Sequence, residues 1–367
     1  MSASLTCFFC GDVMAGRGID QALPSPVSPE LYEGFVRDAR DYVALAQSRD
    51  RPIAQPMRYE AVWGQALEEL AFAEPGLRLI NLETSITARG RPWPDKGVHY
   101  RMHPDNAALL NAARIDACSL ANNHVLDWGR EGLTDTLARL DELGITHAGA
   151  GECSEAAARP MIFNLEGGYR VLIWSLGLAD SGIPAEWNAG SRRAGVWYFE
   201  NASERTARSV SEAVNAEKRP GDLAVVSIHW GSNWGYDIPP EHRRLAHQLI
   251  DAGVNLIHGH SSHHPCGFER YKGQPIFYGC GDFINDYEGI TGHEVFRPEL
   301  TLMYFCRFDL ASGKPLALWM FPLRMERFGL HRASAEDAHW LEKRLNRERG
   351  DTSPTVRMDQ ERRLQWL

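Results

Sequence analysis

Short apolar runs alternate along the chain with stretches whose apolar residues recur every three to four positions. The runs 5–10, 79–82, 117–120, 170–176, 223–228 and 254–257 predict buried β-strands. Between them, 105–113, 131–143, 203–217 and 241–252 predict helices. In the last of these Leu245, Leu249 and Ala252 fall on one face, as a helix covering a sheet requires. Residues 17–70 read as a helical insertion on this core. There a loop punctuated by Pro24, Pro26 and Pro29 opens a helix with Leu31, Phe35, Ala39, Tyr42 and Ala46 on one face, and a second helix is expected near 60–73. After Pro265 the pattern turns β-rich, with strands over 267–271, 276–278, 301–309 and 316–323 and a hairpin turn at Ser312-Gly313. A helix over 335–347, within a C-terminal helix and tail at 334–367, closes what reads as one α/β domain spanning 1–367.

The 44% hydrophobic content of 367 residues is enough for a large core. No window approaches the roughly 18 uninterrupted apolar residues of a membrane span, and the first ten residues lack a basic leader and a small-residue cleavage site, so a cytoplasmic location is expected. Seven scattered cysteines, an odd number without metal-type pairing, fit free thiols in a reducing compartment. A net charge of −9 offers no basic footprint, which argues against nucleic acid and anionic membrane as partners.

Five expected strands run into polar groups able to bind metal: Asp12, Glu83, Asn123 with His124, His229, and His260 with His263. The carboxyl ends of strands in an open α/β sheet line one crevice, so residues far apart in sequence converge there. An Asp or Asn after a strand is ordinarily a cap or turn residue. Capping does not account for His229, His260 and His263 following apolar runs with glycines alongside. Imidazoles with carboxylate and amide oxygens suit Mn, Zn, Fe or Co. Trp230, Trp234 and Tyr287 flank the motifs and could wall a groove for a peptide, with Arg101 as a clamp for a carboxylate. Residues 279–294 read as a glycine-punctuated loop returning to the site, and His293 is its one group suited to proton transfer near neutrality.

Gly11-Asp12-Val13-Met14, Asn81-Leu82-Glu83, the 121–127 segment with Asn123-His124, His229-Trp230-Gly231 and Gly259-His260-Ser261-Ser262-His263 resemble, in order and spacing, the CapA-like family of capsule and poly-gamma-glutamate synthesis within the calcineurin-like metallophosphoesterase superfamily. The resemblance implies a four-layer α/β/β/α sandwich around a centre of one or two divalent ions. It puts Glu83 at the bridging position, Asn123, His229 and His260 on one ion, Asp12 with His263 facing the other, and His124 where the substrate's oxyanion is met. Met14 stands where the superfamily has a histidine, and a thioether is a poor partner for a hard ion. A mononuclear site, with Asp12 free to act as a base, follows as an expectation.

Three functions fit. The first is cofactor-independent Cα epimerisation of a peptide of lasso type, with Asp12 and His293 as the two proton-transfer groups on opposite faces of the carbon. The second is metal-dependent hydrolysis of a phosphoester or of a peptide or polyglutamate amide. The third is metal-stabilised binding of a polymer or peptide. Epimerisation is the leading expectation.

Overall fold

The computed structural model describes residues 3–47, 52–349 and 355–367. Its centre is strand Ser4–Val13, in which Leu5, Cys7 and Phe9 point to one face and Phe8, Cys10 and Val13 to the other, all of them buried. A strand covered on both faces reads as a continuous apolar run, which is why it stood out in the sequence. Leu77–Leu82, Ala117–Ser119 and Thr146–Ala148 continue in parallel on one side of it. On the other side Leu300–Asp309 and Pro315–Glu326 pair antiparallel. A second sheet holds Arg170–Leu178, Leu223–His229, Leu256–His260 and Gln274–Phe277 as parallel neighbours.

Three apolar clusters fix the layering. One, with Phe9, Leu79, Ile173, Val225 and Leu256, lies between the sheets. A second packs the outer face of the first sheet under the helices of the 17–73 and 104–142 segments. The third packs the second sheet under Glu204–Glu217 and Pro240–Asp251. The arrangement is the expected four-layer α/β/β/α sandwich. Ser203 caps the first of those two helices by accepting from the Thr206 amide, 3.3 Å away. Among the described residues, no helix is long and apolar enough to cross a membrane.

Four local expectations need correction. The helix expected from Leu31 begins only at Arg40, because Leu31 and Ala39 donate backbone hydrogen bonds to Arg37 and Pro29 and close 29–39 into a loop that leaves Phe35 exposed. The second helix breaks at Gly64, which takes φ +47° where any Cβ would strike the Leu330 carbonyl. The tail is not loose after its helix: Val356–Met358 and Leu364–Trp366 pair and extend the first sheet. Finally, the 279–294 segment is not loop throughout. Asp282–Ile284 is a strand parallel to Ser4–Val13, with Asp12 and Asp282 in register.

Candidate metal centre

The C-terminal ends of the two sheets' parallel strands bring Asp12, Glu83, His229, His260, His263 and Asp282 together, all of them buried. Two groups within this cluster each have ligand atoms within 4.8 Å of one another: Asp12 with His229 and His260, and Asp12 with His263 and Asp282. Asp12 is common to both, so the shared carboxylate is Asp12 rather than the expected Glu83. Asp282 went unnoticed in the sequence, although Cys280-Gly281-Asp282 repeats Cys10-Gly11-Asp12 and was the signal available. The two repeats lie against each other: a Cβ on Gly11 would come within 1.6 Å of the Gly281 carbonyl oxygen.

The surrounding hydrogen bonds fix how each ligand presents itself. Asn81 donates from one amide nitrogen to Asp12 at 2.7 Å and to Glu83 at 2.8 Å, holding two carboxylates side by side. Its own oxygen accepts from Asn122 at 3.0 Å, which sets the amide's orientation. The His260 tautomer follows from a chain that starts at a carbonyl. The Cys10 carbonyl can only accept, so His258 Nε2 carries a proton toward it at 2.8 Å, and His258 Nδ1 accepts from the Ser227 hydroxyl at 2.9 Å. Ser227 then accepts from His260 Nε2 at 2.9 Å, leaving the His260 Nδ1 lone pair facing His229 Nδ1 at 2.8 Å. Outer-sphere bonds of this kind orient metal-binding histidines. His263 Nδ1 donates to Asp282 at 2.7 Å, freeing Nε2.

Electrostatics favour a cation here. Burial first, then Asp282, pushes the Asp12 carboxyl up to about 7. Burial, then Asp12 and Asp282, raises Glu83 well above the carboxylate range. Burial, then neighbouring positive groups, keeps His229 and His260 neutral, the form that binds metal. Three metal-capable atoms, Asp12 Oδ2, Asn123 Oδ1 and His229 Nε2, are buried without a hydrogen-bond partner. Buried polar atoms are almost always satisfied, so carboxylates that raise one another beside orphaned nitrogen and oxygen atoms fit a divalent ion well.

His124 sits at the rim of this cluster. Its Nδ1 lies 2.6 Å from Asp127, which can only accept, and its Nε2 faces Glu83 at 3.9 Å, beyond hydrogen-bond range. Lys96 pairs with the far oxygen of Asp127 at 2.7 Å and the Tyr100 amide donates to Asp127 at 2.6 Å. Burial works to raise Asp127, but Lys96 and His124 together hold it below its ordinary value. Burial, then Lys96, takes His124 down to about 4. Asp127 and Lys96 were not singled out from the sequence.

The remaining expected residues scatter. Met14 is buried and its sulfur accepts from the Tyr287 hydroxyl at 3.5 Å, and Tyr287 also lies edge-on to His263 at 5.2 Å. Trp234 stands 5.3 Å from His263. Trp230 is a correction: it stacks on His242 at 4.7 Å and donates to the Tyr278 carbonyl within the helix-covered core, away from any groove. His293 is another, since it stacks flat on the outer side chain of Trp234 at 3.9 Å rather than joining Asp12. Arg101 lies over Trp128 outside the cluster.

Similarity to known proteins agrees with this architecture. Residues 6–287 match the family described as bacterial capsule synthesis protein PGA_cap. A probable polyglutamine synthesis accessory protein of Mycobacterium tuberculosis is 48% identical over 94% of this chain and 90% of its own length. The PGA biosynthesis protein CapA of Bacillus subtilis is 26% identical, covering 77% of this chain and 63% of its own. The capsule biosynthesis protein CapA of Bacillus anthracis is 29% identical over 52% of this chain and 45% of its own. The chain therefore belongs to the bacterial capsule synthesis protein family PGA_cap.

Proposed function

We propose that this chain is a metal-dependent hydrolase that cuts amide bonds in a peptide or glutamate polymer, acting in the cytoplasm, where its seven free cysteines suit a reducing environment. The observation that carries the reading is the sharing of Asp12 between two ligand-capable groups, with His124 held beside them by Asp127. Divalent ions held by Asp12, Asn123, His229 and His260, and by Asp12, His263 and Asp282, supply Lewis acidity toward a carbonyl oxygen. The chain's own contribution is proton handling. His124, neutral with its Nδ1 proton on Asp127, offers the Nε2 lone pair to the attacking water and returns the proton to the leaving nitrogen, while Asp127 steadies the imidazolium. The relatives named for polyglutamine and PGA synthesis support an amide polymer over a phosphoester. So does local charge: Lys96 is paired with Asp127, and Arg17 with Glu33 and Asp286, so neither is free to meet a phosphoryl group.

The test is to load the protein with manganese or zinc and offer γ-linked oligoglutamate, an α-linked peptide and an activated phosphodiester. New amine termini that disappear in Asp127→Asn support the reading. Turnover of the phosphodiester alone, or of none of the three, refutes it. A second reading, Cα epimerisation, is favoured by Asp12, whose raised carboxyl suits taking and returning a proton. Running the same incubations in heavy water separates the two, because epimerisation incorporates deuterium at Cα without cleavage.

A further inference from the structure

Beside the centre, on the far side of Tyr100 and Asp127, lies a narrow cavity lined by Arg17, Glu30, Leu31, His99, Arg101 and Trp128, among others. Three of its polar atoms are buried without any hydrogen-bond partner: His99 Nδ1, Arg101 Nε and Trp128 Nε1. His99 and Trp128 are 4% and 5% exposed, so water does not readily satisfy them. The Arg101 guanidinium lies flat on the Trp128 ring, 3.5 Å from its centroid, and no carboxylate among the described residues is in ion-pair contact with it. Nearby Asp20 is already occupied, accepting from the Val27 and His103 amides and the Asn106 side chain. Tyr32 stands edge-on to both His99 and Trp128 at 6.1 Å and half-covers the cavity.

We propose that Arg101, Trp128 and His99 form a binding subsite for a carboxylate whose carbon also bears an N–H. The roles follow from donor and acceptor chemistry. Arg101 Nε and Trp128 Nε1 can only donate, and a carboxylate offers two acceptor oxygens to receive them. His99 Nε2 donates to the Trp93 carbonyl at 2.8 Å, so in the neutral ring Nδ1 is an acceptor and calls for a ligand N–H. A carboxylate and an amide N–H on one carbon occur at the C-terminus of any peptide, and at every residue of a γ-linked glutamate chain. The subsite is also placed to act on the reaction: Arg101 follows Tyr100, whose ring meets His124 at 4.6 Å, and Trp128 follows Asp127, which holds His124. The subsite rests on the proposed peptide or polymer substrate for its occupant, but not for its existence.

The test uses the full chain and three small probes, followed by calorimetry or ligand-observed NMR. N-acetylglycine carries both groups, N-acetylsarcosine lacks the N–H, and N-acetylglycinamide lacks the carboxylate. N-acetylglycine is expected to bind at least about tenfold more tightly than the other two. Arg101→Gln and Trp128→Phe should each weaken it by about tenfold; the phenylalanine keeps a ring beneath the guanidinium but has no N–H to give. His99→Phe should erase the preference for N-acetylglycine over N-acetylsarcosine. Thermal unfolding identifies any variant that fails to fold, and the three wild-type affinities decide the matter without variants. Equal binding of acid and amide, unchanged affinity in folded Arg101→Gln, or no binding of N-acetylglycine overturns the proposal.

Two further ligands identify the source of the carboxylate, and either outcome keeps the subsite. Binding of a C-terminally amidated γ-linked triglutamate marks carboxylates within a chain. Binding only of free-ended peptides marks a chain terminus. Repeating the N-acetylglycine measurement in His229→Ala separates this proposal from the hydrolase reading, since binding there persists whether or not the wild type cleaves anything.

Discussion

Two buried charge clusters lie within one side chain of each other, and they are built on opposite plans. Around Arg17 every charge is matched. Its guanidinium meets Glu33 at 2.8 Å and Asp286, donates to the Tyr42 hydroxyl at 3.1 Å, and lies over the rings of Tyr42 and Tyr100 at 4.1 and 4.5 Å. Around Asp12 the carboxylates Asp12, Glu83 and Asp282 face neutral histidines, and Asp12 Oδ2 and His229 Nε2 have no partner. A matched cluster is complete without a ligand and holds the fold. A cluster of like charges with orphaned atoms is complete only with a cation, and the contrast distinguishes scaffold from site without reference to any relative.

The largest expected effect tests the matched cluster. Arg17→Met strands Glu33 and Asp286 without compensation and should destabilise the fold by about 3–5 kcal/mol in chemical denaturation, with or without metal. A loss below about 1 kcal/mol would mean that this network is not structural. Next is Asp127→Asn, which leaves a near-isosteric side chain beside His124 but removes the charge that steadies its imidazolium. Turnover should fall about 10²–10⁴-fold with little change in stability or metal content. An unaltered rate would take His124 out of proton transfer.

What the sequence allowed to be read follows the same division. Glu83, Asn123, His229, His260 and His263 stand directly after strong apolar runs, so strand-end reasoning finds them. Asp282 stands on a strand of only three residues, and that strand exists because of pairing with Ser4–Val13 from the other end of the chain. Local pattern around Gly279 to Gly281 indicates only a turn. Arg17 was taken as the start of an insertion, because nothing local announces that Glu33, Tyr42 and Asp286 will enclose it. The same enclosure shortens the expected 31–46 helix, since Glu33 faces Arg17 from a closed loop rather than a helical turn. Trp230 and Trp234 are two aromatics four residues apart with the same flanking composition, yet one is core and the other faces His263. Only tertiary packing separates them.

Metal removal sharpens the comparison from the other side. At a free ion concentration about a hundred times the dissociation constant, binding should add about 2.7 kcal/mol to stability, and a chelator should abolish that increment. Asp282→Asn breaks only the group with His263, so elemental analysis should then show one equivalent fewer per chain while the group with His229 and His260 stays loaded. Full metal content in that variant would exclude Asp282 as a ligand.

The smallest expected effect falls on His293, and it bears most directly on which chemistry the centre performs. The ring lies parallel to Trp234 at 3.9 Å, and Trp234 in turn meets His263 at 5.3 Å, so His293 reaches the cluster only through another aromatic. Alanine there removes a partly exposed stack worth about 0.5–1.5 kcal/mol and no group that touches Asp12 or His124. Turnover should stay within about threefold of the wild type, whereas a proton-transfer partner would cost about 10²–10⁴-fold. Two-base inversion of a carbon needs a second group opposite Asp12. A large loss in His293→Ala, with deuterium exchange at Cα falling in parallel, would therefore move the balance from hydrolysis to epimerisation and show that the loop carrying His293 closes on the substrate.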